Sequence, residues 1–268
     1  MIGKINVLSG NTLKILAAIF MVFDHVGVLL YPDVLWLRIV GRLSFPIFAF
    51  MIAEGAKYTK SKIRYFLSLS VLALICQLVY YFFDGGSLYM CILVTFSISI
   101  LLIYLLQFVK KTFFDESKKA YVKMLALLAF FAATVAVYLI NTNDFSEKTG
   151  IVIDYGFAGI MVPVFASLFD FGDLNAPQSL KKFDIIPVRV LSMSIGLLLL
   201  VYELSLANVP SLSSVQIFSL LSVPLLLLYS GKRGRFKMKW FFYVFYPLHL
   251  VAIYAIYYVM MMIKLGYI

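Results

Sequence analysis

Long apolar runs separated by short polar breaks make up most of this chain. A helix that spans a bilayer needs about 20 apolar residues, and the runs have roughly that length. Runs such as residues 188–207 are apolar on every face, whereas strands of a membrane barrel alternate between apolar and polar positions. The pattern predicts an all-α, polytopic membrane bundle of about nine transmembrane helices, near residues 13–32, 35–56, 65–83, 88–109, 121–141, 152–170, 187–206, 214–230 and 240–263.

The composition excludes a soluble globular protein. The 268 residues are 63% hydrophobic and 13% charged, whereas a soluble domain has about 25% charged residues. The first apolar run contains Asp24 and His25 and has no cleavage site of small residues after it, so we expect it to remain as a span. Because no repeat or low-complexity tract interrupts the pattern, we expect one integral-membrane domain over residues 1–268.

The net charge of +10 is placed unevenly along the chain. Basic residues are concentrated after the second, fourth and sixth predicted spans and before the ninth, at Lys57, Lys60, Lys62, Arg64, Lys110, Lys111, Lys118, Lys119, Lys123, Lys181, Lys182, Arg189, Lys232, Arg233, Arg235, Lys237 and Lys239. The alternate breaks are acidic or neutral apart from Lys148 and Lys264. The positive-inside rule therefore places the N-terminus in the cytoplasm and the C-terminus outside. Topology explains the basic charge, and we expect no nucleic-acid partner.

Titratable side chains within the spans are costly, so each needs a partner, a water-filled cavity or a function. The first two predicted spans hold most of them. The candidates are Lys14, Asp24, His25, Arg38, Arg42, Glu54, Asp154, Glu203 and His249. The sequence thus concentrates its polar chemistry near the start of the chain.

Lys14 and His25 are eleven residues apart on the first predicted helix. This separation is about three turns, so the two side chains share one face at depths that differ by roughly 16 Å. Lys14 is expected near the cytoplasmic interface, and His25 in the outer half, where an imidazole can act as a general base. The alternative is structural: Lys14 extends to the interface and His25 hydrogen-bonds a neighbouring helix.

Asp24 precedes His25 directly, and adjacent positions on a helix point about 100° apart. Asp24 is therefore not expected to orient the His25 ring. Arg38 and Arg42 are four residues apart and share a face at the outer start of the second span. They are the expected partners of Asp24, either as an ion pair between helices or as a site for a substrate carboxylate.

The second span also carries Pro46, which is expected to interrupt the helix, either to line a site or as a simple kink. Glu54 lies at the cytoplasmic end of this span. An acid role is possible for Glu54, but the favoured interpretation is a salt bridge with Lys57 or Lys60.

The second of the two histidines, His249, follows Tyr246 and Pro247 in the ninth span. The proline predicts a helix break beside it, near the middle of the membrane. The default interpretation of His249 is a core histidine with satisfied hydrogen bonds.

Other kinds of site lack support in the sequence. Cys76 and Cys91 lie in apolar runs without a CxxC spacing, and two histidines without a carboxylate motif do not make a metal site. The chain has no glycine-rich phosphate loop and no GxSxG motif. We expect no metal, and any catalysis would depend on His25.

Several motifs together resemble the TraX family. They are KILAAIFMVFDHVG at residues 14–27, LRIVGRLSFPIFAF at 37–50, EG at 54–55, TF at 95–96, DYG at 154–156 and FYVFYPLHL at 242–250. The resemblance covers nearly the whole chain, and it is the combination of motifs that is specific.

The resemblance implies N-terminal acetylation of an F-type pilin in the bacterial cytoplasmic (inner) membrane, with acetyl-CoA as the cytoplasmic donor. The spacing of Lys14 and His25 is also similar to the Arg/Lys-x10-His pattern of acyltransferase-3 and heparan acetyltransferase proteins, which acetylate sugars. By resemblance, His25 is the catalytic base and Lys14 helps to hold CoA, although a lysine lacks the bidentate geometry of arginine. Asp24, Arg38 and Arg42 are assigned to the same site, and Glu54, Asp154, Tyr246 and His249 are secondary candidates.

The sequence leaves several alternatives open. The acceptor is a pilin-like peptide amine or a hydroxyl of an envelope glycan, and the acetyl group moves either directly or through an acyl-histidine. A second functional class is a transporter or flippase in which the charged residues form a proton or anion pathway. A third is a noncatalytic factor for pilus or envelope assembly, which would tolerate loss of His25.

Overall fold

The apolar runs fold as α-helices in the computed structural model, which describes residues 7–83, 85–172, 174–206 and 214–266. The helices are α1 Gly10–Leu29, α2 Leu35–Gly41, α3 Ser44–Tyr58, α4 Lys62–Phe83, α5 Ile92–Phe113, α6 Ala120–Leu139, α7 Asn143–Thr149, α8 Gly156–Ala166, α9 Gln178–Lys181, α10 Ile186–Leu206, a 3₁₀ turn Ile217–Leu221, α11 Ser222–Leu227 and α12 Lys239–Lys264. Two short parallel strands, β1 Tyr89–Met90 and β2 Val152–Ile153, pair with each other.

Seven segments in the described part of the chain are long and apolar enough to cross a membrane. One of them, residues 35–58, consists of α2 and α3, and the helix breaks just before Pro46, which occupies the first turn of α3. Proline suits a first turn because its missing N–H would have no helical partner there. The all-α, multi-pass bundle is confirmed, whereas the predicted count of nine spans is not.

The other two predicted spans are shorter apolar helices, Gly156–Ala166 and Ser214–Leu227. Each of them contacts other segments of the bundle near both of its ends. The segment that contains α8 begins beside β1 and ends at Asp170, which pairs with Lys57 at the other end. The second segment begins at Gln216, which accepts a hydrogen bond from Arg42, and ends where Tyr229 pairs with Leu8.

The two ends of the bundle differ in charge. We call the end formed by residues 59–61, 114–119, 167–172, 174–185 and 228–238 the basic end, because most of the described lysines and arginines between the helices lie there. The opposite end is formed by residues 30–34, 85–91 and 140–155. The positive-inside rule predicts that an end of this kind faces the cytoplasm.

The core lies where α3, α5, α8 and α10 pack together. Phe50, Ile100, Ile160 and Met193 are fully buried there, one from each helix. In a soluble protein, burial of one such side chain stabilises the fold by about 1.5–3 kcal/mol. Inside a bilayer the lipid is itself apolar, so close packing between the helices supplies the stabilisation instead. The outlying α6 fully buries only Ala126, packs Phe130 and Val137 partly against the core, and exposes most of its other large apolar side chains, as expected of a helix in contact with lipid.

Two glycines let α1 and α2 approach closely. A Cβ atom at Gly41 would lie 2.5 Å from the Cβ of Asp24, and a Cβ at Gly27 would lie 2.9 Å from the Cβ of Leu37. Real Cβ atoms do not approach this closely, so only glycine fits. The contact brings the start of the second span against the outer half of the first.

Candidate functional site

A cavity of about 890 Å³ is lined by residues from both ends of the bundle. Lys14 and His25 both face it, as their spacing on α1 predicts. At the opposite end the lining includes Asp24, Asp154 and Tyr155. The volume lies in the usual range for small-molecule sites, roughly 300–1,000 Å³.

Asp24 is held by both of its expected partners. Arg38 Nη1 donates to Asp24 Oδ1 at 3.1 Å, Arg42 Nε donates to the same oxygen at 3.2 Å, and Arg42 Nη2 donates to Oδ2. Asp24 lines the cavity, whereas neither arginine is among the described residues that line it. The ion-pair interpretation therefore fits better than a direct site for a substrate carboxylate.

The tautomer of the neutral His25 ring follows from its hydrogen bonds. Nδ1 lies 2.9 Å from the carbonyl oxygen of Met21, and a carbonyl can only accept, so Nδ1 carries the proton. Nε2 is consequently unprotonated in the neutral ring, and it accepts a hydrogen bond from the hydroxyl of Tyr80 at 3.3 Å. As predicted, Asp24 does not orient the ring. An unprotonated Nε2 beside a cavity is the arrangement that a general base requires.

His249 packs directly against His25, with the two ring centroids 5.1 Å apart and the rings inclined at 63°. Its Nδ1 donates to the carbonyl of Phe245 at 3.2 Å, whereas its buried Nε2 has no partner among the described residues. The default interpretation of fully satisfied hydrogen bonds is therefore wrong. The predicted break at Pro247 is also wrong, because α12 continues through the proline. Tyr246 lines the cavity.

Asp154 lines the same cavity as His25 and is fixed by its backbone. Its N–H donates to the carbonyl of Met90 at 3.0 Å, and the hydroxyl of Thr95 donates to its carbonyl at 2.7 Å. The hydroxyl of Tyr89 donates to the Asp154 carboxylate at 2.5 Å. Asp154 lies outside the seven long spans, and burial raises its pKa to about 6 against the opposing effects of the Tyr89 hydrogen bond and of Arg42.

The residue after Asp154 has an unusual backbone. Tyr155 has a φ of 61°, which is rare outside glycine, and its ring stacks on Phe45 at 4.1 Å between centroids. The guanidinium of Arg42 lies 5.9 Å from the centre of the Tyr155 ring. These contacts hold Tyr155 at the cavity wall and start α8 immediately beyond it.

The cavity opens among cations at the basic end, which we call the basic mouth. Its described residues include Lys14, Lys60, Arg64, Arg233 and Lys239. The loop that carries Arg233 is joined to the start of α1, because the N–H groups of Gly10 and Asn11 donate to the carbonyls of Lys232 and Arg233 at 2.8 and 2.9 Å. Clustered Lys and Arg side chains of this kind bind phosphate groups.

The two remaining carboxylate candidates have structural partners. Glu54 pairs with Arg189, so the expected bridge to Lys57 or Lys60 is wrong. Lys57 instead contacts Asp184 at 2.6 Å and Asp170 at 3.2 Å. Glu54 also lines the cavity. Glu203 accepts from the N–H of Ala158 at 2.8 Å and so caps the start of α8.

Sequence reasoning did not find Tyr80 or Tyr89. The chain has 18 tyrosines, and nothing in the local pattern separates these two from the rest. Arg64 and Arg233 were assigned to topology alone, although both line the basic mouth. Only the packing of helices distant in sequence identifies these residues as parts of the site.

These observations define a multi-pass helical membrane protein in which one cavity joins a basic mouth to a histidine and two carboxylates at the opposite end. Residues 9–257 match the TraX protein family, and the chain belongs to that family.

Two known proteins are similar to this chain. A probable fimbrial assembly protein, FimC of serogroup H1 from Dichelobacter nodosus, is 27% identical over 265 residues, which cover 91% of this chain and 94% of that protein. An uncharacterised protein of Rickettsia prowazekii (strain Madrid E), RP591, is 43% identical over 54 residues, which cover 20% of this chain and 21% of that protein. No solved structure gives a significant match.

Proposed function

We propose that this protein is a membrane acetyltransferase of the bacterial inner membrane. It moves an acetyl group from cytoplasmic acetyl-CoA to an acceptor amine or hydroxyl at the outer side. One observation carries the proposal: a single cavity contains both the basic mouth and the unprotonated Nε2 of His25. A phosphate-bearing donor and a general base can therefore meet inside the bundle.

The dimensions of the cavity suit CoA. Its phosphates would bind Lys14, Arg64 and Arg233 at the basic mouth, where charge-assisted hydrogen bonds to phosphate are favourable. The extended pantetheine arm is long enough to cover the roughly 16 Å between Lys14 and His25. The thioester would then lie beside His25, and the adenosine would stay at the cytoplasmic side.

The reaction needs one base. His25 Nε2 takes a proton from the acceptor, whose nitrogen or oxygen attacks the thioester carbonyl. The new bond to the acetyl carbon forms as the carbon–sulfur bond breaks, and His25 returns the proton to the sulfur of the leaving CoA. Direct transfer of this kind requires no acyl-enzyme. An acyl-histidine route remains the alternative for the same residue.

Tyr80 and the Asp24 cluster support this step in different ways. Tyr80 donates to His25 Nε2, and when the acceptor takes that place the phenol can donate to the carbonyl oxygen on which negative charge develops. Arg38 and Arg42 act through Asp24, which they hold at the cavity wall. They are positioning residues in this proposal.

The acceptor class has support from the comparisons. The Dichelobacter relative is named as a probable fimbrial assembly protein, and it matches nearly the whole chain. A pilus-related acceptor, such as the N-terminal amine of a pilin-like subunit, is consistent with that name and with the position of His25 toward the outer end.

Transfer of radiolabelled acetyl groups from acetyl-CoA by the detergent-purified protein tests the proposal. Wild type should bind and turn over acetyl-CoA, and His25→Gln should bind it with similar affinity but lose turnover. Tyr138→Phe, on the lipid-exposed face of α6, is a matched control for Tyr80→Phe, which should lower kcat about tenfold.

Absence of acetyl-CoA binding to the folded wild type would refute the proposal. In that case a proton or anion transport assay in vesicles becomes the next measurement, because a cavity lined from both ends also suits a transport pathway.

A further inference from the structure

Among the described residues, three carboxylates line the cavity, and two of them have cationic partners. Asp24 pairs with Arg38 and Arg42, and Glu54 pairs with Arg189. The described residues place no Lys, Arg or His nitrogen in salt-bridge contact with the carboxylate of Asp154. Its charge is therefore not directly neutralised by the protein.

Hydrogen bonds hold Asp154 in a defined position at the cavity wall. Its backbone is hydrogen-bonded to Met90 and Thr95, which fixes where the side chain begins. The Tyr89 hydroxyl occupies Oδ1 and leaves acceptor capacity on Oδ2. Tyr89 is neutral, so it orients the carboxylate without neutralising it. A negatively charged group held in this way at a cavity wall is suited to bind a cation.

We propose that Asp154 binds the ammonium group of the acceptor and so selects an amine over a hydroxyl. The inference rests on the proposed acetyltransferase function, and it assigns one end of the cavity to the acceptor. Donor phosphates bind at the basic mouth, and the acceptor ammonium binds beside Asp154 at the opposite end of the cavity. The cavity thus offers each substrate a group of opposite charge, with cations for the donor phosphates at one end and the Asp154 carboxylate for the acceptor ammonium at the other.

The proton balance of the reaction is compatible with this role. An acceptor ammonium carries one proton more than the free amine, and it must lose that proton before it attacks the thioester. Asp154 can accept this first proton and release it to water at the outer end. His25 takes the second proton as the carbon–nitrogen bond forms, and returns it to the sulfur of CoA as the carbon–sulfur bond breaks. The products are the acetylated amine, CoA thiol and one free proton.

Binding without donor tests the proposal independently of catalysis. The probes are pentaalanine amide, its N-acetyl form, and methyl glucosaminide, and their affinities are measured calorimetrically for the wild type, Asp154→Asn and Asp144→Asn in detergent. Asp154→Asn keeps a hydrogen-bond acceptor for the Tyr89 hydroxyl but removes the negative charge. Asp144 lies at the same end with its side chain 86% exposed, so it is a matched control.

We expect pentaalanine amide, methyl glucosaminide or both to bind the wild type and Asp144→Asn with equal affinity. The same amine should bind Asp154→Asn at least tenfold more weakly. The N-acetyl peptide should bind all three proteins equally and weakly. Preference for the peptide or for the glucosaminide would identify the source of the amine. Equal affinity of the free amine for Asp154→Asn and wild type would overturn the proposal, as would failure of both amines to bind the wild type.

A kinetic comparison separates this inference from the function on which it rests. The analogue that carries a hydroxyl in place of the terminal amine, lactoyl-tetraalanine amide, is the neutral acceptor. Asp154→Asn should raise KM for pentaalanine amide at least tenfold and leave KM for acetyl-CoA and for the lactoyl analogue unchanged. Equal changes for amine and hydroxyl would reject a role in ammonium recognition. If the wild type did not turn over acetyl-CoA at all, the acetyltransferase proposal itself would be rejected.

Discussion

The imidazole rings of His25 and His249 meet edge to face with their centroids 5.1 Å apart, although one lies on α1 and the other on α12. Each ring donates its Nδ1 proton to the backbone carbonyl four residues earlier, so both have the same tautomer. The His249 ring is stacked on Phe245 in turn, at 5.3 Å between centroids. The last helix thus fixes the orientation of the proposed base on the first.

This contact predicts a positioning role for His249. His249→Ala should lower kcat for acetyl transfer about tenfold with little change in KM for acetyl-CoA, because the His25 ring loses its packing partner. His249→Phe should restore most of the rate, since a phenyl ring fills the same space. If His249→Phe were as slow as His249→Ala, packing would be the wrong explanation and the His249 Nε2 would be required.

Asp24→Asn should destabilise the protein by about 2–3 kcal/mol, because two guanidinium groups would lose their carboxylate in a largely buried site. The thermal midpoint of the detergent-purified variant, followed by intrinsic fluorescence, measures this loss. Asp144→Asn breaks an exposed pair with Lys148 and should leave the midpoint unchanged. Similar midpoints for the two variants would contradict a structural role of the Asp24 cluster.

Arg64→Met and Arg233→Met should each raise KM for acetyl-CoA about tenfold and leave kcat nearly unchanged, because the basic mouth binds the donor far from the reacting atoms. Lys118→Met alters an exposed cation at the same end that is not among the described lining residues, so it is a matched control. A donor that lacks the nucleotide, acetyl-pantetheine, should be insensitive to both arginine variants. Equal sensitivity of the two donors would exclude phosphate binding at this mouth.

Gly41→Ala should destabilise the bundle by about 1–3 kcal/mol and reduce acetyl transfer, because the new methyl group would overlap Asp24 and push α2 away from α1. At Gly10 the nearest atoms to an added Cβ lie 3.6 Å away, an ordinary contact, so Gly10→Ala is the control. Thermal midpoints of the two variants provide the comparison. An unchanged midpoint for Gly41→Ala would show that the helices can separate at little cost.

Asp154→Asn should stabilise the protein near pH 7.5. The pKa of Asp154 is raised from 3.8 to about 6, chiefly by burial, so the folded state binds the proton more tightly than the unfolded state. The stability that this proton contributes is present at low pH and is lost as the pH rises through 6. Asp154→Asn places a neutral side chain at this position, so the variant does not lose stability as the pH rises.

The thermal midpoint of Asp154→Asn should therefore exceed that of wild type by a few degrees at pH 7.5, and the difference should shrink at pH 5. The reverse pH dependence would show that the ionised carboxylate is stabilised by its surroundings, against the assignment of Asp154 as an uncompensated charge.

Local spacing was enough to predict part of the site. The common face of Lys14 and His25 follows from helix periodicity, and both line the cavity. Arg38 and Arg42, which share one face at the start of the next span, were expected to hold either Asp24 or a substrate carboxylate, and the structure pairs both with Asp24. Both predictions concern residues that one helix or one short connection brings together.

Predictions that depended on distant neighbours were less successful. Glu54 pairs with Arg189, which is 135 residues away, rather than with a lysine in the next turn. The helix at Pro247 continues because neighbouring helices can support the backbone around a proline inside a bundle.

Hydropathy depends on each residue and its near neighbours, so the chain alone specified an all-α membrane bundle. The cavity is different in kind, because it is the space left between helices that are far apart in sequence. Helix packing decided that Tyr80 contacts His25, that Asp154 lines the same cavity, and that Arg233 lines its basic mouth. Side-chain packing and glycine contacts fix those distances, and no local pattern encodes them.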